Sequence, residues 1–180
     1  MMIPFRPATP RVPALLAMLL ALGLSGCGDG EPEGADVQVE DAAAPAVERV
    51  DPTAIDYADE LEIDFDDFER TESGLYYRVD AEGEGDEAVP GREVEAHYTG
   101  YLPNGQVFDT SRDGESGISF PLGRGAVIAG WDEGLEGMRV GEQRTLVIPP
   151  ELAYGTQGAG GGVIPPNAVL VFEVELVAVR

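Results

Sequence analysis

The sequence is poor in residues that bind metals or form disulfides. Its 180 residues include one cysteine, Cys27, and one histidine, His97. A lone cysteine excludes a disulfide within the chain. One histidine and one cysteine are also too few ligands for a structural zinc site. We therefore expect neither a metal nor another cofactor.

Lysine is absent. All 11 basic residues are arginines, and they face 34 acidic residues, which gives a formal net charge of −23. Such a charge repels nucleic-acid phosphates, and no basic stripe opposes it. Anionic membrane surfaces are repelled for the same reason. We expect no nucleic-acid partner and no membrane contact through the protein surface itself. A GC-rich genome and adaptation to a salty medium are both open explanations for the missing lysine.

Long hydrophobic runs are also absent. The apolar run Ala14–Leu24 has 11 residues, which is too short to span a bilayer but matches the core of a signal peptide. Arg6 and Arg11 precede it, and the tetrapeptide Leu24–Cys27 follows it directly. This tetrapeptide has an apolar branched residue, two small residues and a cysteine, and it resembles the lipobox of bacterial lipoproteins.

That resemblance implies that residues 1–26 are a lipoprotein signal peptide and that Cys27 carries the lipid anchor. We then expect the protein in the bacterial cell envelope. Because Gly28 rather than aspartate follows the cysteine, the expected place in a Gram-negative cell is the outer membrane, facing the periplasm. The alternatives are an ordinary cleavable signal with an incidental cysteine, and a buried helix with a free thiol.

Residues 27–51 contain no aromatic side chain and are rich in Gly, Pro, Ala, Asp and Glu. Such a composition buries too little apolar surface to offset the entropy of ordering the chain. We predict an acidic, disordered tether here, with charges that repel one another and extend it.

Residues 52–73 regain apolar side chains and are predicted to form an N-terminal arm that packs on the following domain. Two patterns compete within this arm. Leu61, Ile63 and Phe65 alternate with acidic residues, which predicts an edge strand or an extended arm. The spacings from Tyr57 to Leu61 and from Phe65 to Phe68 indicate helix instead.

Residues 74–180 contain short alternating segments separated by turn residues, which is typical of antiparallel strands. In the clearest of them, Val94, Ala96 and Tyr98 point to one face of the sheet. Strands are predicted over residues 74–79, 92–101, 106–109, 144–148 and 169–179, with a further short one over 118–122. One short helix is predicted over 130–137. The fold class is therefore α+β, an antiparallel sheet of about five strands curled around one short helix.

Seven short motifs in this domain have the order and spacing of the FKBP-type prolyl isomerases. They are Val94–Gly100, Val107–Asp113, Val127–Trp131, Gly134–Gly141, Ala153–Gly155, Ile164–Pro166 and Leu170–Phe172. Residues 74–180 thus resemble this family. The resemblance implies an FKBP-type isomerase domain that rotates X–Pro bonds in proteins, and in the envelope such an enzyme would assist protein folding.

The reaction explains the residue types in these motifs. Rotation of an X–Pro amide is slow because it breaks the resonance of the bond, at a cost of about 18–20 kcal/mol. A pocket that removes water from the amide, and that holds the twisted form better than either planar isomer, accelerates it without a covalent intermediate. An aromatic pocket with a few polar groups at its rim meets both requirements.

The resemblance also implies the role of each site residue. Trp131 would form the pocket floor, Asp109 the rim carboxylate, and Tyr154 a hydroxyl donor to the substrate backbone. Ile128 would add its backbone N–H as a second donor. Catalytic roles are implied for Tyr98, Phe108, Asp109, Trp131, Tyr154 and Phe172, and substrate-binding roles for Val127, Ile128, Ile118, Val163 and Ile164.

Two features depart from the family pattern. Ile118 stands at a pocket position where the family commonly has an aromatic residue. The loop Gly155–Gly162 is glycine-rich, and Val163 is its first bulky side chain. Both should loosen one side of the pocket and weaken binding of the family's macrolide inhibitors more than activity. His97 is interpreted as a solvated or structural histidine, and Arg112 as a brace for Asp109 or its loop.

The expected partners are proline-containing protein segments, and macrolide inhibitors are a further possibility. We expect a monomer, because no long helical segment precedes the domain. A binding module that holds proline segments without turnover is the rival function. Retention of Phe108, Asp109 and Trp131 favours the enzyme over this rival. A structural acidic lipoprotein with neither activity is the third hypothesis.

Overall fold

The computed structural model of the protein describes residues 50–114 and 116–180. Cys27, the predicted signal peptide and nearly all of the predicted tether lie outside these residues. Within them the strands are β1 Glu69–Arg70, β2 Tyr76–Ala81, β3 Glu93–Tyr101, β4 Val107–Thr110, β5 Ile118–Pro121, β6 Gln143–Ile148 and β7 Leu170–Val179, and the helix is α1 Ala129–Gly134. Short 3-10 helices lie at Pro52–Ala54, Asp59–Leu61, Phe65–Asp67, Pro150–Leu152, Gly155–Gln157 and Gly160–Gly162.

The strands form one antiparallel sheet in the order β1-β2-β6-β7-β3-β4, and β5 also pairs with β3. This confirms the predicted α+β fold with one short α-helix in the described part of the chain. The sheet has seven strands rather than about five. One reason is that β1 has two residues, too few for an alternating pattern. No helix in the described residues is long and apolar enough to cross a membrane.

One face of the sheet, which we call the helix face, packs against α1. The alternation of β7 predicts this face correctly, since Leu170, Phe172, Val174 and Leu176 are all buried there. Trp131, Leu135 and Met138 from α1 and the segment after it complete the core. The helix ends at Gly134 rather than at the predicted position 137, and Gly137 itself adopts a left-handed conformation with φ +77°.

The opposite face, which we call the arm face, is covered by the chain's own N-terminal arm. Leu61 is 6% exposed and packs with Val147, Val169 and Val171, which are all at most 1% exposed. Further apolar side chains of the arm pack around this cluster: Ile55, Tyr57, Ile63, Phe65 and Phe68. The arm therefore buries an apolar stripe that the helix does not reach.

The predicted edge strand from Leu61 to Phe65 does not form. Glu62 has φ +48°, a left-handed conformation that interrupts an extended chain. The helical spacings were the better guide, because 3-10 helices begin at Asp59 and at Phe65. The side chain of Asp64 accepts the Asp66 N–H at 3.1 Å and so caps the second of them.

Candidate active site

A cavity of about 220 Å³ opens on the helix face. Its lining is Tyr98, Phe108, Asp109, Ile118, Ala126, Val127, Ile128, Trp131, Tyr154 and Phe172. Nine of the eleven residues that the sequence analysis placed at the site are therefore brought together. Of the ten lining residues, only Asp109 carries a carboxylate, and none is basic.

The floor of the cavity is an aromatic cluster around Trp131, which is 3% exposed. Its ring meets Tyr98 at 5.0 Å and Phe172 at 5.4 Å between centroids, both close to edge-to-face. Phe108 stands perpendicular to Phe172 at 5.5 Å. Edge-to-face pairs are a favourable arrangement of aromatic rings, so these contacts stabilise the floor and walls of the cavity.

Glycines make this packing possible. A Cβ atom on Gly130 would lie 2.5 Å from Ile148, and one on Gly134 would lie 2.8 Å from Leu146, so only glycine lets α1 come this close to β6. A Cβ atom on Gly100 would lie 2.6 Å from Phe108. The role of Gly100 was not predicted, although a glycine inside a strand is itself a signal of close approach.

Phe108 and Asp109 are adjacent in the chain, yet both line the cavity. The pairing of β3 with β4 explains this. Gly100 pairs with Asp109 and Tyr101 with Val107, so the register shifts by one residue at Phe108. Such a bulge redirects side chains that would otherwise point to opposite faces. The neighbouring aromatic wall and carboxylate depend on it.

The rim of the cavity carries two tyrosine hydroxyls near one carboxylate. Tyr98 donates to Asp109 Oδ2 at 2.5 Å. Burial raises the pKa of the Tyr98 hydroxyl well above its usual value, and the hydrogen bond to Asp109 and its negative charge add to the shift. Burial, followed by the charge of Asp109, also raises the pKa of Tyr154. Both hydroxyls therefore keep their protons at neutral pH and can donate.

A backbone donor also faces this region. Ile128 is the residue before α1, and its carbonyl accepts the N–H of Trp131 at 2.9 Å. Its own N–H makes no hydrogen bond with any residue of 50–114 or 116–180. Since Ile128 lines the cavity and is only partly buried, this N–H is available to a carbonyl of a bound peptide.

No group of three His, Cys, Asp or Glu side chains in the described residues could hold a metal ion. The side chains converging on the cavity are apolar apart from one carboxylate and two hydroxyls. An apolar ring with an adjacent amide is the ligand that such a lining suits.

Comparison with known proteins identifies the family. The family model of FKBP-type peptidyl-prolyl cis-trans isomerases matches residues 85–177. The chain belongs to this family. It is an FKBP-type peptidyl-prolyl cis-trans isomerase.

Two relatives and one solved structure illustrate the similarity. The chain is 56% identical over 106 residues to the FK506-binding protein of Neisseria meningitidis serogroup B, covering 59% of this chain and 96% of the relative. It is 53% identical over 110 residues to peptidyl-prolyl cis-trans isomerase FPR2 of Saccharomyces cerevisiae, covering 61% and 81%. The crystal structure of FkpA from Escherichia coli superimposes with a TM-score of 0.58 at 42% identity, covering 63% of this chain and 52% of that one.

Two residues given substrate-binding roles from the FKBP resemblance are not in the cavity lining. Val163 is 47% exposed at the end of the glycine loop. Ile164 is 6% exposed and packs in the core of the helix face. Both backbone hydrogen bonds between Ala159 and Ile164 close this loop on itself. The side chain of Ile164 therefore lies in the core, whereas the FKBP resemblance implied a substrate-binding role for it.

Ala126 lines the cavity of this FKBP-type domain without having been predicted. A small residue in a glycine-rich turn gives no signal in the sequence. Arg112, interpreted as a brace for Asp109 or its loop, pairs with Glu175 at 3.3 Å on the arm face, and its N–H donates to Thr110 Oγ1 at 3.1 Å. His97 Nδ1 lies 3.2 Å from Ser111 Oγ, outside the cavity.

Proposed function

We propose that this FKBP-type isomerase rotates X–Pro bonds in proteins of the bacterial cell envelope, where it assists their folding. The mechanism we propose is non-covalent: the pocket removes water from the amide and stabilises its twisted form. One observation carries this mechanism. The cavity offers three aromatic walls and a Trp131 floor, with its polar groups confined to Asp109 and hydrogen-bond donors.

The planar amide is the more polar form and loses more than the twisted form when water is removed. Placing the proline ring over Trp131 therefore lowers the barrier to rotation. The N–H of Ile128 and the hydroxyl of Tyr154 would hold the peptide on either side of the rotating bond. Asp109 accepts from Tyr98, which fixes that ring, and brings a negative charge close to the twisting carbonyl.

Turnover of a proline-containing test peptide tests this mechanism. Phe108 and Asp109 are not fully buried, so Phe108→Ala and Asp109→Ala should lower kcat/KM by about tenfold or more while the fold persists. Circular dichroism and thermal melting would check the fold. If either variant kept full activity, its residue would have no place in the mechanism. If either failed to fold, its role would be structural.

The envelope location is supported by the sequence of residues 1–27 alone. We propose that Cys27 is acylated after cleavage and that the acidic stretch up to residue 51 spaces the enzyme from the membrane. Cys27→Ser should move the protein from the membrane fraction to the soluble fraction. Membrane association that survives this substitution would contradict the anchor. Ser25→Thr keeps the thiol and serves as a control for an altered N-terminus.

We further propose that the same cavity takes macrolide ligands of the kind that the name of the Neisseria relative indicates. Affinity should be modest because Ile118 supplies an aliphatic side chain to the lining. Ile118→Phe should tighten FK506 binding by roughly threefold to tenfold, since an aromatic pair contributes about 0.5–1.5 kcal/mol. Calorimetric titration of both proteins measures this. Unchanged affinity would show that position 118 does not control it.

A further inference from the structure

Asp132 lies on α1 next to the floor residue Trp131 but is not part of the cavity lining. Its Oδ1 accepts the N–H of Gly123 at 2.8 Å, and its Oδ2 accepts the N–H of Gly125 at 2.8 Å. One carboxylate thus holds two amides of the same loop. Hydrogen bonds to an ionised acceptor are stronger than neutral ones.

These bonds hold the loop between β5 and α1. We call residues 123–127 the wall loop. It begins after Leu122, which is buried and donates its N–H to the carbonyl of Arg92, and it ends before Ile128, the residue that precedes α1. Within residues 50–114 and 116–180, the backbone of the wall loop makes no hydrogen bonds other than those to Asp132.

The conformation of the wall loop fits this arrangement. Gly123 has φ +69° and Gly125 has φ +67°, both in the left-handed region that favours glycine. A carboxylate that receives two N–H groups from alternate residues of such a turn fixes its path. The charge of Asp132 therefore selects one loop conformation among those that the glycines allow.

The wall loop and the residue after it carry one side of the cavity. Ala126, Val127 and Ile128 supply three of the ten lining residues. A shift of the loop would change the width of the pocket and the direction of the Ile128 N–H. The floor and this wall are thereby linked through a single side chain, because Asp132 and Trp131 are neighbours on α1.

We propose that Asp132 is a positioning residue that sets the substrate-binding wall of the isomerase. It acts through Val127 and Ile128 without touching the peptide. The part of this inference that concerns the Ile128 N–H depends on the function proposed above, in which that group binds the peptide. The wall contacts both planar and twisted forms of the substrate, so losing its position weakens binding of both and raises KM with little change in kcat.

The test variant is Asp132→Asn in the full-length chain, with Glu133→Gln as its matched control. Asparagine can accept only one of the two N–H groups and carries no charge. Glu133 is the next residue on α1, and both of its oxygens contact Ser73 Oγ, at 2.9 and 2.7 Å, rather than the wall loop. Turnover of a short proline-containing peptide and amide hydrogen exchange at Gly123 and Gly125 are measured on both.

For Asp132→Asn we expect KM to rise about fivefold to tenfold, kcat to stay within about twofold, and both glycine amides to lose protection. Glu133→Gln should leave all three quantities unchanged. Asp132→Glu keeps the charge, so its KM should lie between those of the wild type and Asp132→Asn. Unchanged KM in a folded Asp132→Asn protein would overturn the proposal, and so would an equal loss in Glu133→Gln.

A second variant disturbs the wall loop from its other partner. No atom lies within 4 Å of a Cβ atom on Gly125, so Gly125→Ala meets only the strain of its positive φ. It should raise KM in the same way without unfolding the protein; a KM equal to that of the wild type would count against the proposal. The peptide assay needs no envelope protein and leaves Phe108 and Asp109 intact. The outcome is therefore distinguishable from failure of the proposed client class or of the roles of those residues.

Discussion

Each face of the sheet carries an aromatic cluster, and the two clusters have similar ring spacings but different surroundings. On the helix face, ring centroids lie 5.0 Å apart between Tyr98 and Trp131 and 5.5 Å apart between Phe108 and Phe172. On the arm face, Phe65 lies 4.9 Å from Tyr76 and 5.8 Å from Tyr57. The first cluster borders an open cavity, whereas the second is closed by the chain's own arm. Aromatic packing by itself therefore does not indicate a binding site.

The polar groups of the two clusters show the same contrast. On the arm face, Tyr57 donates to the carbonyl of Pro52 at 3.0 Å, and the N–H of Ala58 donates to Pro103 at 2.8 Å. The arm satisfies these groups from within the chain. On the helix face, the Ile128 N–H makes no bond with another described residue and stays available to a ligand. A covered cluster stabilises the fold, and an uncovered one with unused donors serves binding.

The largest effect should come from removing the cover on the arm face. A protein that begins at residue 74 would expose Val147, Val169 and Val171, which are now at most 1% exposed. Burying one such side chain contributes about 1.5–3 kcal/mol, so the loss should be on the order of 5 kcal/mol or more. That is comparable with the total stability of a typical domain. Urea unfolding of proteins beginning at residues 50 and 74 measures the difference.

Equal stability of these two proteins would contradict the stabilising role of the arm, because covering the arm face would then contribute nothing to the free energy of unfolding. The control is a protein that begins at residue 50, which lacks the predicted tether and keeps the arm. It should unfold at the same urea concentration as the full-length chain. We expect the shorter protein to aggregate as well, since its exposed stripe is apolar.

The second largest effect should come from the floor of the cavity. Trp131 is 3% exposed and belongs to the core as well as to the pocket. Trp131→Ala should lower the free energy of unfolding by about 3–5 kcal/mol and abolish turnover. Chemical denaturation and the peptide assay measure the two losses. If the variant were as stable as the wild type, Trp131 would serve the pocket without supporting the core. The open cluster would then differ from the covered one in stability as well as in binding.

The helix face could be predicted from the sequence because its signals lie within single strands and in short motifs that occur in a fixed order. Alternation along β7 predicts Phe172 on the core side, and the resemblance to FKBP-type isomerases implied one pocket for Phe108, Asp109 and Trp131. Strand alternation fixes a face, and the antiparallel register then brings distant strands together. Alternation thus predicts a face of the sheet, whereas the FKBP resemblance implied most of the cavity lining.

What could not be predicted depends on single backbone angles and distant partners. The left-handed conformation of Glu62 bends the arm where alternation predicted a strand. The closed glycine loop turns Ile164 into the core. Arg112 is close to Asp109 in sequence, but its partner Glu175 comes from another strand. The two bonds of Asp132 likewise join a helix to a turn, and no sequence period marks them.

The third effect isolates the arm from the pocket with one side chain. Leu61 is the buried centre of the arm, and Leu61→Ala should lower the free energy of unfolding by about 2–4 kcal/mol. The kcat/KM of the folded protein should not change, since Leu61 lies on the other face of the sheet. Val79→Ala is the control, because Val79 is 43% exposed and should cost less than about 0.5 kcal/mol. A fall in kcat/KM of the folded Leu61→Ala protein would mean that the two faces are coupled.

The smallest effect should appear at alkaline pH, through one tyrosine on each face. Burial raises the pKa of Tyr57, and the charge of Asp51 adds to the shift; burial and Asp109 raise that of Tyr98. Above a pH of about 10 the unfolded chain loses these protons and the folded chain keeps them, so stability falls as pH rises. Each tyrosine contributes at most about 1.4 kcal/mol per pH unit.

Tyr57→Phe and Tyr98→Phe should therefore each make the decline in stability above pH 10 shallower, by similar amounts. Urea unfolding between pH 9 and 11 measures the slopes. The two variants should differ in turnover at neutral pH, because only Tyr98 donates to Asp109 at the pocket rim. If burial sets the titration of both tyrosines and only the helix face acts on substrate, the two variants should share the same slope of stability against pH. Their turnover at neutral pH should then differ. A wild-type slope in the Tyr57→Phe protein would show that the arm does not keep that hydroxyl from water.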